Sequence, residues 1–364
     1  MPEIMKTIPQ TKRHRLPFKL KTVLLVLTVV VLLWLASNLN WTEVEESLSR
    51  ANWKFLFAGV VATSMTYLLR AFRWRALLSP ITPANVGDAF AATVIGFSAV
   101  FIVGRAGEVV RPALLPIRDK RVRPAASFVT ILIERICDLA AVVFLFAISL
   151  TWFSAPAAQD FEIGFVRQVG WALLVGACIG LASLALFERK AKRSIEWLEV
   201  KFRLWRVPQK FSHGVINLLT QLAAALKVLA YPRGLMITLA WTASVWLTIV
   251  LGNMLIFRAF GIGFGFSETI FVLGWALLGS LAPTPGGAAG AFHAATVAGL
   301  LFLGVNREQA IAVSIMVHLV DFAPALLFGS AYLVKGEISL KGLRKLPTVE
   351  PSEASVVLPR SQVN

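Results

Sequence analysis

Two apolar stretches of this chain run into turns that a continuous helix does not survive, and those turns limit what the chain can fold into. The first stretch, Phe90 to Val103, leads directly into Gly104-Arg105-Ala106-Gly107-Glu108-Val109-Val110-Arg111-Pro112. The second is a pair of short apolar arms, Glu268 to Leu281 and Ala288 to Leu303, joined by Ala282-Pro283-Thr284-Pro285-Gly286-Gly287. Proline lacks a backbone donor, and hydrocarbon cannot satisfy the N–H and C=O groups that a broken helix releases. Each turn must therefore be buried in protein or line a wet cavity.

Composition says which solvent is at issue. Hydrophobic residues make up 57% of the 364, and charged residues 15%, which excludes an ordinary soluble domain. At about 20 residues per helical span, the spans and their loops use nearly all of the length. The net charge of +16 raises nucleic-acid binding as a function, but the Lys and Arg residues fall between apolar runs and follow the asymmetry that orients membrane proteins. Nucleic acid is set aside on that ground. Cys137 and Cys178 lie in apolar runs without metal or redox spacing.

The basic residues then orient the spans. Lys6, Lys12, Arg13, Arg15, Lys19 and Lys21 precede Thr22 to Ala36, a charge-free run with a poor cleavage site, read as a retained first helix with a cytoplasmic amino terminus. Trp41 to Lys54, with Glu43, Glu45 and Glu46, suits an outer connection. Trp53 to Leu69 returns to a belt of Arg70, Arg73 and Arg75 around Trp74, expected to anchor the helix end at the cytoplasmic interface. Val86 to Val103 has basic residues on both flanks, with Arg118, Lys120, Arg121 and Arg123 on the far side, so the segment through Leu115 is expected to enter and leave on the cytoplasmic face. Ala310 to Val334 precedes Lys335, Lys341, Arg344 and Lys345 and should end inside, which makes the two arms around Pro283 begin and end outside. With Ala125 to Trp152, Trp171 to Phe187 and Leu235 to Phe257, the expected fold is an all-α integral membrane protein. It has about six full transmembrane helices plus two oppositely oriented re-entrant, broken-helix hairpins, an inverted-repeat-like pattern.

Residues 1–19 read as a cytoplasmic basic tail, 20–335 as the transmembrane domain and 336–364 as a disordered cytoplasmic tail. Within the domain, 188–232 is a cytoplasmic amphipathic segment. From Glu188 to Lys210, basic residues alternate with Ile195, Trp197, Leu198, Phe202, Leu204 and Trp205, the signature of a helix on an anionic inner leaflet.

Ionisable residues near membrane depth are expensive and need a reason. On an α-helix Arg105, Glu108 and Arg111 share a face, so the carboxylate can pair with either guanidinium. Glu134, Arg135 and Asp138 form a second cluster, able to neutralise itself partly or to supply a partner for Arg105 or Arg111. His293 projects from a broken arm, and His318 and Asp321 share a face of the last helix. Gly286 and Gly287 allow close backbone approach. Two readings stand: clamps that pack helices together, or one polar cavity for an anionic or zwitterionic head group, formed by Arg105, Glu108, Arg111, Glu134, Arg135, Asp138 and Asp321 with the second break. No nucleophile triad, phosphate loop or metal spacing is evident, so no catalytic residue, metal or cofactor is expected.

Arg70-Ala71-Phe72-Arg73-Trp74-Arg75, Gly104-Arg105-Ala106-Gly107-Glu108 with Arg111, Glu134-Arg135 with Asp138, and Pro283-Thr284-Pro285-Gly286-Gly287 together resemble the lysylphosphatidylglycerol synthase transmembrane region, or flippase-like domain. The resemblance covers about 20 to 335 and implies movement of a lipid between leaflets, in the plasma membrane. The soluble synthase domain of bifunctional members is expected to be absent here, which argues against lipid aminoacylation. Many members carry a glutamate on the returning arm where this chain has His293. The leading expectation is a non-enzymatic translocator or binder of a phospholipid or polyprenyl-linked head group, and the pattern leaves a homo-oligomer open. The alternatives are a membrane-embedded transferase using Glu43, Glu45 and Glu46, and a scaffold that recruits a biosynthetic partner through the basic segment.

Overall fold

In the computed structural model of the chain, the described residues are 41–79, 81–152, 232–282 and 285–334, with individual positions between 168 and 223. The expected first helix, Pro283 and Thr284, both tails and most of 153–231 lie outside them. Among the described residues the chain is helical throughout. The helices are α1 (Trp41–Ser49), α2 (Trp53–Leu78), α3 (Val86–Val103), α4 (Val110–Arg118), α5 (Pro124–Trp152), α6 (Pro232–Ala259), α7 (Phe266–Ser280), α8 (Pro285–Phe302) and α9 (Arg307–Val334). A 3-10 segment, Gly104–Val109, joins α3 to α4. Of the basic segment, 193–200 is helical, and exposed Trp197 and Trp205 flank Lys201.

Local chemistry starts these helices where they start. Asn52 and Asn85 accept from the second backbone N–H of α2 and α3, and the Glu268 carboxylate accepts the Gly265 N–H ahead of α7. By length and composition four helices among the described residues can cross a membrane: Trp53–Leu78, Val86–Val103, Arg233–Ala259 and Arg307–Tyr332. At 1.5 Å per residue α2 is about 39 Å long, against about 30 Å of hydrocarbon. It continues past Leu69, where the sequence suggested an end, through the arginine belt to Leu78.

Side-chain registers fix the directions. Gly59 lies against Ile256 and Gly252, and Phe72 stacks on Trp241 at 5.4 Å, so α2 and α6 are antiparallel neighbours. Phe90 meets Phe328 and Phe101 meets His318 and Phe322, so α3 runs antiparallel to α9 and its tip reaches the middle of that helix. The chain then turns back. Thr82 donates to the Arg121 carbonyl at 3.2 Å and Arg118 pairs with Asp88 at 2.8 Å, which places the two ends of the first broken pair side by side. At the opposite end of the bundle the Gln309 amide donates to the Phe260 carbonyl, and Phe271 packs on Phe302, so the second pair also leaves where it entered. The tips meet: the Arg105 guanidinium donates to the Ser280 carbonyl at 3.0 and 3.2 Å.

The breaks themselves are left-handed backbone. Gly104 has φ 70° and Gly286 φ 72°, conformations that a side chain disfavours. Ala288 shares this conformation at φ 65°, at a cost of about 1 kcal/mol. Pro112, expected to break the first helix, instead sits in the first turn of α4, where its missing N–H is harmless.

Much of the packing recurs when the halves are exchanged, although α8 also packs on α3 without a comparable contact of α4 on α7. α2, the first pair and α5 form one half, and α6, the second pair and α9 the other. α3 packs on α9 as α7 packs on α5, and α2 touches α9 as α6 touches α5. Because the equivalent α2 and α6 are antiparallel, the halves are inverted. The larger apolar clusters among the described residues lie around Trp74, Leu78 and Leu115 and around Phe257, Val313 and Leu300.

Asp119 closes the base of the first pair. Its carboxylate accepts both ends of the Arg121 guanidinium at 2.8 Å and the backbone N–H groups of Asn85 and Arg121. Arg121 above all, with those N–H groups and against the opposing effect of burial, lowers its pKa from 3.8 to about 2. The folded value lies below the unfolded one, so this stabilisation is complete above about pH 4 and fades as pH falls toward 2. Thermal melts of Asp119→Asn should show a loss of about 1 kcal/mol at pH 7, modest because Arg121 is exposed and screened, and a gap from wild type that closes near pH 2.

Candidate functional site

α2 presents Arg70, Arg73, Trp74 and Leu77 on one stripe, and all four are buried. This corrects the expectation of an exposed arginine belt: only Arg75 of the three faces outward. Across from them, α5 presents Glu134 and Asp138, one turn apart and buried. α4 adds Arg111, 3% exposed, from beyond the first break. The 3-10 turn explains why Arg111 leaves the face that an α-helix would share with Arg105 and Glu108. Three residues per turn stack Arg105 over Glu108 at 3.8 Å, and the helix that begins at Val110 carries Arg111 inward.

Glu134 is the shared partner. Its two oxygens accept both amino groups of Arg111, at 2.5 and 3.1 Å, and Oε1 also lies 3.1 Å from Arg73. Asp138 takes the other side of Arg73 in a fork at 2.6 and 3.1 Å and accepts the Trp246 indole N–H at 3.0 Å. Arg111 is further held by Thr93 at 3.1 Å and lies 4.5 Å above the Trp74 ring, whose N–H donates to Thr130. Bidentate pairs of this kind are short and directional.

Arg70 is different. It stands 3.6 Å from Asp138 and 3.9 Å from Glu134, ion-paired but beyond hydrogen-bonding distance, and its buried Nη1 has no hydrogen-bond partner among the described residues. Within this core three guanidiniums thus surround two carboxylates, an excess of one positive charge, and the Asp321 carboxylate stands near Arg70 from outside the core without an ion pair among the described residues. Arg105, Glu108 and Arg135 form an outer rim with side chains about 40% exposed; Glu108 is 4.0 Å from Arg135 and 3.8 Å from Arg105. Arg135 is also 4.0 Å from Asp138.

The second half contributes less charge. The Asp321 backbone carbonyl accepts the Tyr67 hydroxyl, and its carboxylate forms no ion pair among the described residues. His293 meets His318 at 3.2 Å, away from the arginine cluster. Gly286 and Gly287 open α8 at the second break. The structure therefore gathers Arg111, Glu134 and Asp138 in one core, sets Arg105, Glu108 and Arg135 at its edge, and holds His293 apart in a histidine pair. Arg70, Arg73 and Trp246 join the core although sequence reasoning left them out. The missed signal was spacing, since Arg70, Arg73, Trp74 and Leu77 continue the stripe of Thr63, Thr66 and Tyr67.

Long apolar helices with ion pairs enclosed between them define an all-α, multi-pass membrane protein. The chain belongs to the lysylphosphatidylglycerol synthase TM region family, whose profile matches residues 22–329. It is similar to a UPF0104 membrane protein of Pyrococcus horikoshii, at 23% identity over 333 residues, covering 85% of this chain and 94% of the relative. No solved structure matches.

Glu134→Gln would leave Arg111 without its carboxylate and Arg73 with Asp138 alone. Removing one member of a buried pair typically costs about 3–5 kcal/mol. Thermal unfolding in detergent should show that loss for Glu134→Gln and a much smaller one for Arg70→Gln, which removes the charge in excess.

Proposed function

We propose that the protein binds and translocates a lipid head group, that of a phospholipid or a polyprenyl-linked lipid, where the two broken pairs meet. The observation that carries this reading is Arg70, whose buried Nη1 has no hydrogen bond among the described residues, beside two carboxylates already claimed by Arg73 and Arg111. A buried cation without hydrogen bonds is costly, and an anionic head group brings the acceptors it lacks. The rim of Arg105, Glu108 and Arg135 suits a group that carries both signs, while the acyl chains remain in lipid.

In this reading the first broken pair is re-entrant from the cytoplasmic face of the plasma membrane and the second from the outer face. Both termini are then cytoplasmic, and the basic segment at 188–210 lies on the anionic inner leaflet. The chain carries out no covalent step.

Liposomes containing the purified protein and fluorescent lipids of differing head groups provide the test. At least one anionic or zwitterionic lipid should cross faster than in protein-free vesicles. Arg70→Gln should reduce that rate about tenfold or more while the fold persists. Glu108→Arg alone should impair transport, and adding Arg135→Glu should restore most of it. Rates equal to protein-free vesicles for every head group would refute the reading.

Orientation is checked separately. Cysteines at the exposed positions Ile81 and Lys120 should both react with an impermeant reagent from the cytoplasmic side alone. Labelling of the two from opposite sides would mean that the first pair crosses the membrane.

A further inference from the structure

His293 on α8 and His318 on α9 face each other through His293 Nε2 and His318 Nδ1, 3.2 Å apart. Phe101, Phe292 and Phe322 enclose His318, and Phe292 packs against both rings. The spacing of the inner nitrogens is that of a hydrogen bond, and among the described residues no third His, Cys, Asp or Glu joins them in a group that could hold a metal ion.

Counting protons shows what the pair is built for. Two neutral imidazoles carry two protons on four nitrogens. One proton must lie between the rings for the contact to attract, so one remains for the two outer nitrogens. Both of these, His293 Nδ1 and His318 Nε2, are buried without a hydrogen bond of good geometry among the described residues. Beside each is a backbone carbonyl, of Ser314 for His293 and of Gly286 for His318. In the neutral pair one outer nitrogen turns a lone pair toward a carbonyl oxygen, which is repulsive. One added proton makes both outer nitrogens donors and leaves the third proton shared between the rings.

The inverted halves supply a second, independent argument. His293 and Arg111 each lie seven residues past the left-handed glycine of their break, Gly286 and Gly104. Each sits on the returning arm and reaches the long helix that follows, Arg111 to Glu134 on α5 and His293 to His318 on α9. Where one half holds a permanent cation, the other holds two rings that carry charge only when loaded.

We propose that His293 and His318 form a proton-binding site that takes up one proton per pair. Loading gives the second half the positive charge that Arg111 gives the first, and it ties α9 to the second break through His318 and the Gly286 carbonyl. The proton is then a ligand of the protein whichever lipid the arginine core handles, and this site stands or falls independently of that reading.

The charged and titratable neighbours leave the pair to itself. Asp321 is one turn further along α9, with Tyr67 and Arg70 beside it from α2. The 3-10 segment brings Arg105 and Glu108, bound to each other. Glu268 of α7 caps its own helix, and Asp88 of α3 is engaged by Arg118. Glu45, Glu46 and Arg50 of the α1 region, Arg258 of α6 and Arg307 and Glu308 of α9 lie at helix ends. None of these forms an ion pair with either ring among the described residues.

The test is nitrogen-15 NMR of the full chain, labelled at histidine, in lipid bilayers between about pH 8 and pH 4. The four histidines are assigned by replacing each with glutamine. The His293 and His318 signals should move together in a single step worth one proton for the two rings. In His293→Gln, the step at His318 should vanish or shift by about one pH unit or more. Rings that stay neutral throughout, rings that each gain a proton, or a His318 step unchanged in His293→Gln would each overturn the proposal. Should His293→Gln fail to fold, the wild-type stoichiometry decides alone.

Discussion

Glu134 holds the first half together because two cations on separate elements need the same carboxylate. Arg73 comes from a 26-residue helix and Arg111 from a nine-residue one. A helix as short as α4 has little stability of its own, so its place depends on what it is tied to. Arg111 ties it to α5 through Glu134 and to α3 through Thr93. Asp138 extends the same network to α6 through Trp246. An apolar core of equal volume is often as stable as a buried ion pair or more so. That the chain keeps charge here agrees with a core that does more than pack.

The inverted halves match in packing and differ in chemistry. Asp138 and Asp321 each lie 14 residues into the long helices that follow the two breaks, yet Asp138 is gripped by Arg73 and Trp246 while the Asp321 carboxylate has no ion-pair partner among the described residues. Arg111 and His293 correspond as well, one permanently charged and the other conditionally so. Duplication of the backbone with divergence of its charges gives one half a fixed electrostatic landscape. Under the proposed proton loading, the other half changes its charge while the first keeps it.

Much of this organisation was legible in the sequence because its signals are local. Apolar runs located α2, α3, α5, α6, α7, α8 and α9 to within a few residues at most ends, and the stretches at Gly104 and 283–287 marked where the helices break. The Arg111–Glu134 pairing was visible as one of several options. The arginines of α2 were not. Arg70 and Arg73 look like interfacial anchors when each charge is weighed against lipid alone, because sequence does not show that Glu134 and Asp138 wait on a helix more than 60 residues away. The direction of Arg111 was hidden for a different reason: a 3-10 turn changes the period from 3.6 to 3, and the residues of Gly104–Val109 do not announce it. The histidine pair needed the tertiary fold to bring α8 and α9 together.

The strengths of the contacts indicate which part can yield. Disrupting the pairs around Glu134 costs several kcal/mol, since each charge would be stranded in an apolar interior. Beside the packing of α8 on the 3-10 segment and α3, the hydrogen-bonded link between the two tips is the Arg105 guanidinium, 40% exposed, on the Ser280 carbonyl. Such a bond contributes on the order of 1 kcal/mol, and water can replace it on either side. On these magnitudes the charged core stays intact through motions that separate the tips. An opening between the broken pairs would expose Arg105, Glu108 and Arg135 first and bring a ligand toward Arg70, while Glu134 and its two arginines remain the fixed wall behind it.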